Sequence, residues 1–297
     1  MRIPRWRHMK GVFTTKVIPE YDELPERQYH FPQTYLKQAE RCVGDWIVYY
    51  EPRRSAGNQP GGRQVYFATA MVIGVRPDPR LPDHYYADVQ GYFEFPRPVP
   101  FREGQHYYES ILQRDDGATN RGAFGRAVRG VPDHEFWSIL QAGIASDLFD
   151  EEADRLVAEP PPERASVETF LNRKVRDPAF RRLVRQAYDL RCAVSGLRLI
   201  NGGGRPEVQA AHIMPVEHNG PDTVRNGIAL SGTVHWLFDR GLISFADDGR
   251  ILESPQGLPD EMGRLIRPER RLLLPQHPGF RPHPAYLKWH RENQFKR

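Results

Sequence analysis

The sequence predicts an α+β protein of two domains: an N-terminal small β-barrel with flanking helices, and a C-terminal strand–loop–strand–helix unit embedded in helices. Three observations lead there. The 297 residues have room for two cores of ordinary size, and 27 Pro with 25 Gly favour many short elements joined by turns over long helices. The stretch "AEPPPERAS" (158–166) carries three successive prolines, which favour an extended spacer, and so separates residues 1–157 from 167–297. Strand-like runs dominate before that linker, whereas after it helices surround a single unit in which two short strands precede a helix.

In the N-terminal domain "DWIVYYE" (45–51), "VYFATAMVIGV" (65–75) and "YYADVQGYFEF" (85–95) are rich in Val, Ile, Tyr and Phe and are bounded by Pro, Gly and Asp, so they read as strands. Both faces of these runs are apolar, which predicts cover on both sides, as in a small barrel with helices packed on it. Residues 134–157, "HEFWSILQAGIASDLFDEEADRLV", repeat apolar positions at three- and four-residue spacing and read as helix. Beyond the linker, 166–190 reads as two helices, with Pro178 in the first turn of the second. The Gly-rich turn "NGGGRP" then leads to strand "EVQAAHI" (207–213), a loop, strand "GIALS" (227–231) and helix "GTVHWLFDRG" (232–241).

Composition narrows the function classes. At 39% hydrophobic and 27% charged the chain has a soluble globular profile, with no apolar run near the ~18 residues of a membrane span and no apolar stretch for a secretory signal behind the basic N-terminus. The only cysteines, Cys42 and Cys192, are too few for a disulfide framework and point to a reducing cytoplasm. The formal net charge of +4 lies wholly in residues 151–297, the first 150 being balanced, so a polyanionic partner would find its attraction in the C-terminal half.

The polar residues of interest all fall on the strand–loop–strand–helix unit. His212 closes the first strand, Asn226 ends the loop, and His235 and Asp239 stand at i and i+4 on the helix, sharing one face. A lone strand histidine is ordinarily a satisfied structural residue, but four such residues in order on one unit call for another account. Imidazole and carboxylate at i, i+4 make a clamp for a divalent cation, and a second histidine off the metal can take a proton from water. That inventory suits phosphodiester hydrolysis. Arg240 either touches phosphate or serves as an ordinary cation at a helix end; Trp236 and Phe238 are expected to pack the unit, and His218 to face solvent.

Residues 207–245 resemble the HNH endonucleases, whose ββα-metal unit has this element order. The resemblance is tight over about 40 residues and loose down to "YLKWHRENQF" near the C-terminus. It implies that His212 is the general base, that Asn226 orients the loop or backs up His212, and that His235 and Asp239 hold one divalent metal, Mg²⁺, Mn²⁺ or similar. Two departures matter. Ala211 stands where most members have the first metal-binding Asp, so the metal would take more water or help from Gln209 or Glu207, and an acid at 211 would be expected to tighten the site. Of the two CxxC pairs that brace many members only Cys192 remains, with Ser195, Ser231 and Val234 at the other places, so no structural Cys₄ zinc is expected and Cys192 reads as a small buried residue.

Residues 30–140 more weakly resemble the PUA-like barrels (the SRA, EVE and ASCH group), several of which read modified bases. By that resemblance Trp46, Tyr49, Tyr50, Tyr85, Tyr86 and Phe93 are candidate walls of a base pocket, no more than two in fact, with Trp46 and Tyr50 foremost and Asp45 or Asp88 as edge readers. Arg53 and Arg54 form either a phosphate contact or a solvated basic loop. The leading expectation is therefore a cytoplasmic prokaryotic restriction enzyme, acting on modified double-stranded DNA such as that of phage, with a homodimer as one route to double-strand cuts. The alternatives are an HNH nuclease aimed by plain sequence, structure or RNA, and a catalytically silent nucleic-acid-binding protein, the latter motivated by Ala211.

Overall fold

The computed structural model describes residues 9–15, 24–53, 62–144, 167, 171, 173–256, 258 and 260–297. The 158–166 spacer, Arg54 and the C-terminal part of the 134–157 helix lie outside them. The chain divides into two compact units, Met1–Asn172 and Arg173–Arg297. Among the described residues no helix is long and apolar enough to cross a membrane.

The first unit contains β1 (Gly11–Thr14), β2 (Gln28–Pro32), α1 (Leu36–Arg41), β3 (Trp46–Glu51), β4 (Val65–Pro77), β5 (His84–Pro100), the two-residue strands β6 (Arg102–Glu103) and β7 (His106–Tyr107), α2 (Arg121–Phe124), β8 (Val128–Gly130) and α3 (Asp133–Ile144). Six strands form one sheet in the order β2-β5-β4-β3-β1-β8. All neighbours are antiparallel except β1 and β3. The long β4–β5 pair shifts register at three places, and such bulges bend a sheet and deepen its twist. The sheet curls far enough for the Tyr29 hydroxyl, on the edge strand β2, to donate to the Thr14 carbonyl of β1 at 2.8 Å. No ladder joins β2 to β8, so the expected barrel is a curled half-barrel whose gap is bridged by a side chain.

Apolar residues on both faces of these strands are covered as their composition demands. Phe31, Ile47, Tyr49, Ala68, Ala70 and Val72 lie in one core cluster, while α3 packs along β5, burying Phe136, Ile139, Leu140, Gly143 and Ile144 at helical spacing. Gly143 is needed there: a Cβ would stand 2.5 Å from the Phe95 ring.

The second unit opens with α4 (Arg173–Ala187), one helix in which Pro178 is internal rather than in the first turn. Proline removes one backbone N–H from the helical ladder, and burial of Ala179, Phe180 and Val184 against the strands that follow offsets the loss. Then come β9 (Gln209–His212), β10 (Gly227–Leu230), α5 (Gly232–Asp239), the hairpin of β11 (Ile243–Phe245) with β12 (Ile251–Glu253), and α6 (Pro284–Asn293). β9 and β10 pair antiparallel, with Gly227 opposite His212 and Leu230 opposite Gln209. Gly227 lets α4 lie close, since a Cβ would meet Val184 Cγ2 at 2.2 Å.

Cys192 is fully buried. Its turn is held by backbone bonds, Ala193 N–H donating to the Ala229 carbonyl and Leu273 N–H to the Ala193 carbonyl, both at 2.8 Å. The C-terminal segment thus ties this turn to β10. Farther on, α6 anchors the end of α5. His290 stacks on Phe238 at 3.9 Å, bonds through Nδ1 to Ser244 Oγ at 2.9 Å, and is depressed by burial to a pKa of about 4.

Candidate active site

His212 ends β9 with its ring in a defined pose. Phe180 of α4 stacks on it face to face, at 3.8 Å and 10°. Nε2 lies 2.9 Å from Asp222 Oδ1, and both side chains are largely buried. An ionised carboxylate only accepts, so Nε2 carries the proton and donates, which leaves Nδ1 as the lone-pair nitrogen. Asp222 sits in the 213–226 loop ten residues after His212. Nothing in its spacing set it apart from an ordinary turn aspartate, and sequence reasoning missed it.

Asn226 is fully buried and holds that loop shut. Its Oδ1 accepts from Met214 N–H at 2.9 Å, while Nδ2 donates to the carbonyls of Met214 at 2.9 Å and Pro221 at 3.0 Å. Both groups of the amide are engaged by backbone, and the side chain bonded to His212 is Asp222 rather than Asn226. Gly220 completes the loop, because a Cβ there would fall 1.7 Å from the Met214 carbonyl oxygen.

Across the same cavity, His235 and Asp239 face each other on α5, Nε2 to Oδ2 at 3.4 Å. His235 Nδ1 is 2.8 Å from Gln209 Oε1. Read as an N–H donating to the amide oxygen, that bond leaves Nε2 as the free nitrogen, turned toward Asp239. Desolvation raises the Asp239 carboxyl above its ordinary value, against the lowering effect of His235 and Arg240. A cavity of about 570 Å³ is lined by Phe180, Arg181, Ala210, His212, His235 and Asp239 among others, so the structure brings together three of the four residues singled out in the sequence and buries the fourth behind them.

An imidazole nitrogen and a carboxylate oxygen fit one divalent cation. Among the described residues no group of three His, Cys, Asp or Glu side chains could hold a metal, so two protein donors would leave the other positions to water and phosphate oxygens. Ala211 is 1% exposed and belongs to the core, whereas Ala210 lines the cavity. An acid at 211 would thus point into the core, which corrects the expectation that restoring one there tightens the site. Glu207 is engaged elsewhere: its Oε1 accepts from Gly232 N–H at 2.8 Å, at the start of α5.

Other expectations need correction. Trp236 does not pack the unit. It is 56% exposed, with the Arg240 guanidinium 6.0 Å from its ring centroid, while Phe238 is buried. In the N-terminal unit Trp46 and Tyr50 are buried at 6% and 1% exposure and present no ring to a base; Tyr49 and Phe93 are likewise core. β3 is a central strand covered on both faces, which is why its aromatics are interior. Asp45 accepts from Lys10 Nζ at 2.6 Å and Asp88 from Arg76 Nε at 3.0 Å, so both edge-reader candidates are paired within the first unit. Arg53 is exposed.

Residues 192–246 match a family model described as HNH endonuclease. The C-terminal unit carries an HNH endonuclease domain, and the chain is a nuclease by that domain. No curated protein matches the chain. Among solved structures, one described as "Modification dependent TagI restriction endonuclease" is 14% identical, covering 95% of this chain and 80% of that one, with a TM-score of 0.30. Another, "Structure of the Type IV phosphorothioation-dependent restriction endonuclease ScoMcrA", is 16% identical, covering 78% of this chain and 48% of that one, with a TM-score of 0.21. Neither superposition is close enough to carry function across.

Proposed function

We propose that the protein is a metal-dependent endonuclease that hydrolyses phosphodiester bonds of double-stranded DNA, with His212 as general base and His235 and Asp239 as the protein ligands of one divalent cation. The observation that carries this reading is the placement of two histidines of different character on one cavity. One is backed by a carboxylate and offers Nδ1; the other offers Nε2 beside a carboxylate. His212 takes the proton of the attacking water at Nδ1, and Asp222, hydrogen-bonded to Nε2, stabilises the charge that the ring acquires. Phe180 keeps the ring from turning away. Asn226 fixes the loop that carries Asp222, and so acts through it. When bound, the cation supplies charge for the pentacoordinate phosphate.

We further propose that the N-terminal unit selects the DNA, modified bases being the substrate class that its sequence resemblance raised. With Trp46 and Tyr50 interior, a reader surface would be built from other residues. The test is digestion of phage and plasmid DNA carrying 5-methyl-, 5-hydroxymethyl- or glucosylated cytosine beside unmodified DNA, with Mg²⁺ or Mn²⁺. Cutting confined to modified DNA is expected from wild type, and His212→Ala should lower the rate by about 10²–10⁴-fold while DNA binding persists. Equal cutting of every DNA would remove the modified-base reading and leave the nuclease. No cutting of any DNA would refute the nuclease assignment itself.

A further inference from the structure

A second cavity, of about 760 Å³, adjoins the candidate active site. It shares Arg181, Ala210 and His235 with the catalytic cavity and is otherwise walled by Arg185 of α4, by the 199–206 hairpin, which brings Arg205, and by Glu207 and Gln209. The catalytic reading assigns it no role. We propose that this cradle of Arg181, Arg185 and Arg205 seats backbone phosphates next to the scissile one, on one side of the cut. The proposal rests on the nuclease reading and extends it to the path of the bound strand.

Three observations support it. The cations are brought together unpaired: among the described residues no carboxylate forms an ion pair with Arg181, Arg185 or Arg205, although the remainder of the chain is laced with ion pairs. Glu207 also lines the cavity, but its Oε1 is bonded to the Gly232 N–H. Like charges lining one cavity repel, and desolvation together with the fields of Arg181 and Arg205 lowers the Arg185 guanidinium below its ordinary pKa. An anion in the cavity relieves that repulsion.

The arginines are also aimed rather than free. Arg185 Nε donates to the Val208 carbonyl at 2.9 Å, which turns the guanidinium to the strand side and leaves its other donors open. Arg205 stands on a built turn. Asn201 Oδ1 accepts from Gly203 N–H at 3.0 Å and Arg205 N–H at 2.8 Å, Gly204 adopts a φ of 79°, and Ile200 bridges to Pro206. Leu199 and Ile200, 51% and 41% exposed, line the same cavity and offer apolar surface to sugars.

The third observation is adjacency. Each strand of a duplex carries a phosphate about every 3.4 Å along the axis. A strand whose scissile phosphate lies between His212 and His235 therefore presents its next phosphates within the neighbouring cavity, on the His235 side.

The experiment compares wild type with Arg205→Ala and Arg181→Ala/Arg205→Ala on a short duplex containing the cut site mapped for wild type. Binding is measured in EDTA over a salt series. Each lost phosphate contact should lower the slope of log K against log salt by about 0.9, hence about 1.8 for the double variant. A scan of single methylphosphonates around the cut should weaken wild-type binding at one or two positions on one side, and those positions should have no effect in the double variant. Circular dichroism confirms folding, which Arg205, on an exposed turn and without a side-chain partner among the described residues, should not influence. An unchanged slope, or methylphosphonate effects identical in both proteins, overturns the cradle while the nuclease stands. If wild type neither binds nor cuts DNA, both readings fall together.

Discussion

Asp222→Asn is the sharpest probe of the catalytic assignment, because it changes one atom and removes one charge. In wild type the carboxylate accepts from His212 Nε2 at 2.9 Å, with the His212 and Asp222 side chains 24% and 13% exposed. A charge-assisted hydrogen bond in such a setting is worth about 1.5–3 kcal/mol. At 1.36 kcal/mol per decade that is roughly a 10–150-fold loss of rate if only the bond to the charged ring is weakened. Asparagine can also turn its amide nitrogen toward Nε2. The ring would then carry its proton on Nδ1, the nitrogen that must accept, and the loss would approach the ~10⁴-fold seen when a triad aspartate is replaced by asparagine and the tautomer inverts. The assay is single-turnover cleavage of a labelled duplex at saturating enzyme, beside binding in EDTA. We expect the rate to fall by between those limits with affinity unchanged, and Asp222→Glu to recover part of it. A variant that cleaves within threefold of wild type would refute the Asp222–His212 dyad.

In the proposed metal site, removing His235 or Asp239 deletes one of the two protein donors. Loss of an outer-shell partner alone costs about 10–100-fold in metal affinity, so His235→Ala and Asp239→Ala should each weaken Mn²⁺ binding by at least that in calorimetry. Asn226→Asp sets an acceptor-only group against the carbonyls of Met214 and Pro221, and should destabilise the second unit by about 3 kcal/mol in urea unfolding while abolishing cleavage. His290 is held at about 4 by burial, against 6.5 in the unfolded chain. The unfolded chain therefore takes up the proton first, and stability should decline as pH falls from about 6.5 to about 4, by up to about 3 kcal/mol. In His290→Phe, which keeps the stack on Phe238, this part of the pH dependence should vanish.

The two-unit α+β plan and the strand–loop–strand–helix order were legible because each rests on local signals: β-branched and aromatic runs, the proline-rich spacer, and helical spacing after Ser231. His212, His235 and Asp239 were legible for the same reason, since spacing along one short unit fixes their faces. What was not legible depends on contacts distant in sequence. Phe180 reaches His212 from a helix that precedes its strand, and Asp222 reads as an ordinary turn aspartate until the loop folds back under Asn226. The aromatics of β3 read as pocket walls only while what packs on the strand's two faces is unknown; every residue of β3 is buried, so they are interior. Trp236 erred the other way. Two residues before the buried Phe238, it stands about 200° around the helix from it and so faces solvent.

The same one-residue alternation explains how the site does without an acid at 211. In β9 the residues facing the cavity are Ala210 and His212, Ala211 is core, and Gln209 is exposed at the start of the strand, within reach of His235. In the proposed metal site the strand's contribution is then not a ligand but an acceptor, Gln209 Oε1, that would decide which nitrogen of His235 holds the proton. An Nδ1–H bonded to Gln209 Oε1 keeps Nε2 in its lone-pair form beside Asp239, the arrangement in which outer-shell acceptors orient a ligating imidazole and raise its basicity. Gln209→Leu keeps the size and removes the acceptor, so Mn²⁺ affinity should fall by about 10–100-fold. Gln209→Glu substitutes a stronger acceptor and should bind Mn²⁺ at least as tightly as wild type. The side chain lies at the surface, so neither change should alter thermal unfolding. Calorimetric titration of the intact chain in the absence of DNA reads the effect directly. Equal Mn²⁺ affinity in Gln209→Leu, Gln209→Glu and wild type would mean that the amide does not set the imidazole, and that Asp239 and the phosphate hold the cation without help from β9.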